Sequence, residues 1–322
     1  MLPPSTTTVE GFKAPSSRRL FLEPRILTAL AIIYLLWGTS YLAIKQAGTE
    51  FPPLLLVGLR NLAAGVVLLS LVSIQGRNWG APRLWVNAAM VGVLMISVGA
   101  AFLAMGLQHV SSGFAAVTFA AVPIVVCVLM VTKGRRITAA QWVGTIIGLA
   151  GLQLTNQGVD SELQQRGMWL VLAAVVATAA SAVLMDHLPM PEDIIVTTGV
   201  QMVAGGGVAS LVGWFMGERL SNVSTQALAA WLYLSLLVSV LGYLSYNYLM
   251  VKAGPVMASS YAYVNPPIAL LAGAWLLGEP VSGLTLVATG VVLTGAATVL
   301  VATPRRVPST LLVPLQEKAK TL

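Results

Sequence analysis

The chain has 322 residues, 57% of them hydrophobic and only 9% charged, with a net charge of +7. A soluble protein of this length carries roughly 25% charged residues. With a mean hydropathy of +0.84, the composition excludes an ordinary soluble domain and makes lipid the solvent for most side chains.

In chain order, residues 1–25 form a polar Pro/Ser/Thr-rich tail with Arg18, Arg19 and Arg25, expected to be disordered or to lie on a surface. The first apolar run leads on through Trp37 and Tyr41 without a cleavage site, and reads as a retained helix rather than a signal peptide. A spanning helix needs about 20 mostly apolar residues. Ten such runs follow one another: 26–45, 53–74, 84–107, 112–132, 139–156, 168–187, 194–216, 227–250, 257–277 and 282–302. The connections are too short for a soluble domain, and residues 303–322 form a second tail. The fold class read here is all-α integral membrane, with ten spans.

The basic residues set the orientation. Ten spans put both termini on one side. If that side is the cytoplasm, it receives fourteen Lys and Arg residues: Lys13, Arg18, Arg19, Arg25, Arg77, Arg83, Lys133, Arg135, Arg136, Lys252, Arg305, Arg306, Lys318 and Lys320. The other side receives three, Lys45, Arg166 and Arg219. This bias is the positive-inside pattern of a multi-pass plasma membrane protein with cytoplasmic termini. The basic residues lie in short loops and tails, without a stripe of interleaved aromatics, which argues against a nucleic-acid partner.

The chain also repeats itself. A shift of 144 residues carries Pro123 onto Pro267, Gly151 onto Gly295 and Gly134-Arg135-Arg136 onto Gly278-Glu279-Pro280. A shift of 141 carries Gly58 onto Gly199, Arg60 onto Gln201 and Gly65 onto Gly206. The halves are 26–157 and 166–302. With five spans each, the second is inverted relative to the first, the arrangement on which alternating access is built.

Several segments carry a resemblance. Trp37-Gly38-Thr39-Ser40-Tyr41 lies in the first span, and Arg60-Asn61 lies in the second, after Pro52-Pro53. Tyr261-Ala262-Tyr263-Val264-Asn265-Pro266 precedes Leu277-Gly278-Glu279-Pro280. Together these resemble the EamA family of the drug/metabolite transporter superfamily, over residues 26–302. The resemblance implies a ten-helix carrier with a central cavity, exporting amino acids, pigments, drugs or related metabolites. The fourth span departs from the family pattern, ending in Gly134-Arg135-Arg136 where Gly-Glu-Arg is common.

Candidate cavity residues follow from helical spacing. Tyr34, Trp37, Gly38, Tyr41 and Lys45 share one face of the first span. Trp37 and Tyr41 lie too far inside to be simple interfacial anchors, and either line a cavity or pack between helices. Phe114 and Thr118 in the fourth span, Tyr243, Tyr246 and Asn247 in the eighth, and Tyr261 and Asn265 in the ninth form comparable faces, and Tyr263 is a further cavity candidate. Pro266 and Pro267, with Pro123 at the equivalent place, remove backbone donors and are candidate hinges or plain packing kinks. Arg60, beside Asn61, is a full charge inside a span, costing roughly 2.5–3.5 kcal/mol at a helix centre; it either faces the bundle interior with a function or snorkels to the interface. Lys45, Lys252, Asp186 and Glu279 sit at span ends and read as interfacial. Gly144-x-x-x-Gly148 and Gly205-Gly206-Gly207 read as helix-packing surfaces.

Cys127 is the lone cysteine and His109 and His187 are far apart, so no disulfide or metal motif is expected, and no cofactor. No carboxylate lies mid-span to act as a proton relay, which leaves Glu279 or His109 as less direct candidates. No nucleophile–base spacing or paired carboxylates suggest catalysis. The expected partners are a small-molecule solute and the bilayer. Uptake rather than export, and a membrane scaffold without a central cavity, are the competing readings.

Overall fold

The computed structural model describes residues 23–131, 138–156, 161–220 and 222–302. Residues 1–22 of the first tail, the whole second tail and the basic connection at Lys133, Arg135 and Arg136 lie outside the described residues, while Arg25 falls in the first helix rather than in the tail. The described residues are helical throughout, without a strand. The longer helices are α1 Pro24–Ala47, α2 Pro53–Ile74, α3 Pro82–Gly106, α4 Ser112–Val131, α5 Ala139–Asn156, α6 Glu162–His187, α7 Ile194–Phe215, α8 Thr225–Ala253, α9 Tyr261–Leu277 and α10 Gly283–Ala302. Among the described residues, α1 to α4 and α6 to α8, seven in all, are long and apolar enough to cross a membrane.

Local chemistry explains where these helices begin. Pro24, Pro53 and Pro82 open α1 to α3, where the missing N–H is no loss and the fixed φ suits a helix. Side chains of Ser111, Asp193 and Ser224 cap α4, α7 and α8 by accepting from backbone N–H groups. Ser161 and Gln164 form a reciprocal capping box, which starts α6 at Glu162 rather than near 168 and adds a polar first turn. At another boundary that differs, Gly254 takes φ +83, which only glycine adopts freely. It sets off a separate turn, Pro255–Ala258, so α9 begins at Tyr261 rather than 257.

Large apolar side chains point away from the bundle, among them Trp275 at 85% and Phe215 at 82% exposure. Polar residues such as Asn61, Gln201 and Asn247 are buried within it. That distribution inverts the soluble pattern and fits a lipid surround.

Helices of the two halves pair with each other. α2 lies along α7 and α5 along α10, while α3 packs on α6 and α7 and α8 on α1 and α2. Glycines set the approach: a Cβ on Gly206 would stand 2.7 Å from the Gly58 carbonyl oxygen, and one on Gly144 2.7 Å from that of Gly295. Gly207 takes no part, since a Cβ there would meet nothing within 4 Å. Both third helices carry a π-wound middle, Val93–Ala100 in α3 and Tyr233–Gly242 in α8, positions that the repeat shift superposes. Such widened turns recur at functional sites.

Candidate functional site

The two halves enclose a narrow cavity of about 60 Å³, lined from the first half by Trp37, Ser40, Tyr41, Ile44, Arg60, Met95, Ala100, Leu103 and Phe119, and from the second by Thr178, Val238, Tyr243, Tyr246, Tyr261 and Asn265. At roughly 10–15 Å³ of such space per water, it admits a handful of waters and is smaller than an organic solute needs.

Its wall is an aromatic box. Trp37 lies 4.4 Å from Tyr261, edge-on, and 5.3 Å from both Tyr243 and Tyr246, ring centre to ring centre. Tyr41 meets Phe119 at 6.4 Å. The Trp37–Tyr41 segment shows how a helix positions such a wall. A Cβ on Gly38 would be 2.9 Å from the Ile268 side chain, so the glycine lets α9 come close. Thr39 is tied to the Tyr233 hydroxyl at 2.6 Å, and Ser40 donates back to the Trp37 carbonyl at 2.7 Å. Trp37 and Tyr41 are thereby turned inward.

Arg60 is 3% exposed, and neither its Nε nor its Nη1 has a protein partner. It faces the cavity and does not snorkel to an interface. The Tyr246 hydroxyl is buried and likewise without a partner. Asn265 lies beside the Tyr41 hydroxyl, yet neither atom of its amide has a well-formed hydrogen bond. Buried polar groups without a protein partner are costly in a bundle interior unless a water or a ligand supplies one. Here they converge on one space.

The structure does not bring every candidate to that space. Asn61 donates to the Val57 carbonyl at 2.8 Å and accepts from Ser239, and Asn247 donates to Thr198 and Gln201, both at 2.8 Å. Each follows a cavity-facing residue, Arg60 or Tyr246. Successive residues turn by about 100° around a helix, and here that turn carries both amides onto helix–helix contacts. Phe114 and Thr118 also lie off the cavity: Thr118 donates to the Phe114 carbonyl, and the next residue, Phe119, lines instead. Tyr263 is half-buried outside it, with its hydroxyl unpaired. Helix α9 continues through Pro266 and Pro267, and the break precedes them at Ser259 and Ser260. In α4 the turn at Ala120 and Ala121 stands before Pro123.

Sequence reasoning passed over Ser40, Ile44, Met95, Ala100, Leu103, Phe119, Thr178 and Val238 as lining residues. Most are apolar or small, indistinguishable in sequence from their lipid-facing neighbours. The paired π segments, contributing Met95, Ala100 and Val238, carry no compositional signal either.

At the helix ends, Lys45 and Glu279 are ion-paired across the halves at 2.5 Å rather than separately interfacial. Glu279 also accepts from the Ser112 backbone N–H at 3.0 Å, capping α4. Burial pushes the Glu279 pKa up, but donation from Lys45 and Ser112 outweighs it and holds the carboxyl below the ordinary range. A relay needs the opposite shift. Arg77 pairs with Asp193 at 2.7 Å, joining the end of α2 to the start of α7, while Glu218 accepts from Leu54 and Leu55 N–H, joining the end of α7 to the start of α2. Among the described residues no group of three or more His, Cys, Asp or Glu side chains is placed to hold a metal.

Comparison with known proteins places this geometry. The model of the EamA-like transporter family matches twice, at residues 25–157 and 165–301. The uncharacterized inner membrane transporter YedA of Escherichia coli K12 is 34% identical over 266 residues, 82% of this chain and 87% of that one. The uncharacterized transporter YvbV of Bacillus subtilis is 26% identical over 281 residues, 84% of this chain and 92% of that one. A protein of known crystal structure superposes with a TM-score of 0.63 at 19% identity, over 85% of this chain and 95% of that one, a likeness of fold.

Proposed function

The chain belongs to the EamA-like transporter family, and from that membership we propose that it is a secondary carrier exporting small organic solutes, such as amino acids or amphipathic and aromatic compounds, across the plasma membrane. In this reading ten spans form two inverted five-helix halves with both termini cytoplasmic. The double family match supports the repeat. The cross-packing supports the inversion: a shift of 141 carries Arg77 onto Glu218 and Pro52 onto Asp193, so the Arg77–Asp193 tie and the Glu218 tie to the start of α2 are each other's counterparts at opposite ends of one helix pair.

The observation that carries the reading is the cavity itself. Aromatic walls and unpaired polar groups from both halves meet at a single space, where a small relative movement of the halves would change access. A scaffold has no use for such a space. The test is solute counterflow into proteoliposomes holding the purified protein, across a panel of amino acids, nucleosides and aromatic compounds. Saturable, protein-dependent counterflow of a subset is expected. Monodisperse, correctly inserted protein that exchanges nothing in the panel would contradict the carrier reading.

A further inference from the structure

The charge balance of the cavity narrows the kind of solute it suits. Arg60 is the only charged residue among its lining residues, with no Asp or Glu beside it. The guanidinium is buried, and its Nε and Nη1 donors lack protein acceptors. No protein carboxylate therefore offsets its charge within the cavity, and burial without a counter-charge is strongly unfavourable. The hydroxyl of Tyr246, which lines the same cavity, is also buried and unpartnered. Around these polar groups stand the rings of Trp37, Tyr243 and Tyr261.

We propose that the cavity is built for apolar or aromatic monocarboxylates, with the Arg60 guanidinium receiving the carboxylate and the Trp37, Tyr243, Tyr246 and Tyr261 rings receiving the apolar body. This rests on the carrier reading and deepens it. The planar fork of a guanidinium matches a carboxylate in two parallel hydrogen bonds. One fixed cation matches one negative charge, and the aromatic walls disfavour a second. An entering carboxylate supplies the acceptors that Arg60 lacks. A neutral or cationic solute leaves the guanidinium unpaired, and a cation adds like-charge repulsion. A zwitterionic amino acid is intermediate: its carboxylate is received, but its ammonium meets only ring faces and neutral polar groups.

Acid–amide pairs of the same shape isolate the charge. Phenylacetate against phenylacetamide, and hexanoate against hexanamide, would be compared as competitors of counterflow and as thermal stabilisers of the purified protein, with phenylalanine and phenylethylamine alongside. Each acid is expected to act at a concentration about tenfold lower than its amide, or lower still, the factor typical of a charge-assisted contact. Phenylalanine should fall between them and phenylethylamine should act least. Arg60→Gln removes a desolvation cost, so it should reach the membrane at normal levels while losing the acid preference. Arg60→Lys, which keeps charge but not the fork, should retain part of it. Equal potency of acid and amide in the parent protein, or an acid preference that survives in Arg60→Gln, would overturn the assignment. Counterflow of amides or amines without acids would leave the carrier standing and remove the carboxylate site. Acid-selective stabilisation that depends on Arg60, without exchange of any solute, would do the reverse.

Discussion

Helices α2 and α7 are related by the sequence shift of 141 residues and lie against each other, yet they treat one position in opposite ways. At that position α2 carries Arg60, buried, unpaired at Nε and Nη1 and facing the cavity. On α7 the same position holds Gln201, whose side-chain oxygen accepts from Asn247, beside Thr198. The first is an unsatisfied polar site, whereas the second is a helix-packing contact with its acceptor satisfied. The two helices share close glycine approaches and the third helices share a π-wound middle, while the side chains at this position differ. The divergence places the charge on one wall of the cavity only.

The largest effect in this comparison should come from making the halves alike in charge. Gln201→Arg buries a second guanidinium and takes away the Asn247 acceptor. At roughly 2.5–3.5 kcal/mol for an arginine at a helix centre, before the lost hydrogen bond, the variant should show a sharp fall in membrane level and thermal stability. Wild-type stability would mean that position 201 tolerates charge as position 60 does, and the contrast between α2 and α7 would lose its basis.

A smaller effect is expected at the Lys45–Glu279 tie, where the pair is partly exposed. Glu279→Gln should cost about 1 kcal/mol or less. The Glu279 pKa is depressed in the folded protein, so its contribution is present above the unfolded carboxylate pKa of about 4.3 and is lost as pH falls through the lower folded value. The difference in melting temperature between parent and variant should therefore stay constant from about pH 8 to pH 5 and shrink only in stronger acid. A difference that disappears between pH 7 and pH 5 would restore Glu279 as a proton relay.

Much of this was legible in the sequence, for identifiable reasons. Apolar run length located the helices, because in lipid a helix satisfies its backbone polar groups within one continuous segment. That Trp37 and Tyr41 share one face followed from i, i+4 spacing on a regular helix, whereas the choice between cavity and packing needed the structure. Boundaries moved where capping chemistry outweighed hydropathy, as at Ser161 and Gln164, or where Gly254 ended a helix. The site was less legible. Asn61 and Asn247 share their type with genuine lining residues but sit one position, about 100°, away from the cavity. Met95, Ala100 and Val238 line it from π-wound turns whose composition is plain apolar helix. Ser40 and Thr178 return their significance only in three dimensions, since small hydroxyl residues are ordinary in packed helices.

The central claim is that the space between the two repeats is a solute path opened to one side at a time. Ser40 lines that space from α1 and differs from cysteine by one atom, while the native Cys127 is removable as Cys127→Ser. In that background, Ser40→Cys would be labelled with a membrane-impermeant thiol reagent applied from each side of sealed vesicles, with and without an exchanging solute. The account predicts labelling from either side, with solute raising the rate from one side and lowering it from the other. Labelling from one side only under every condition, or from neither, would contradict it.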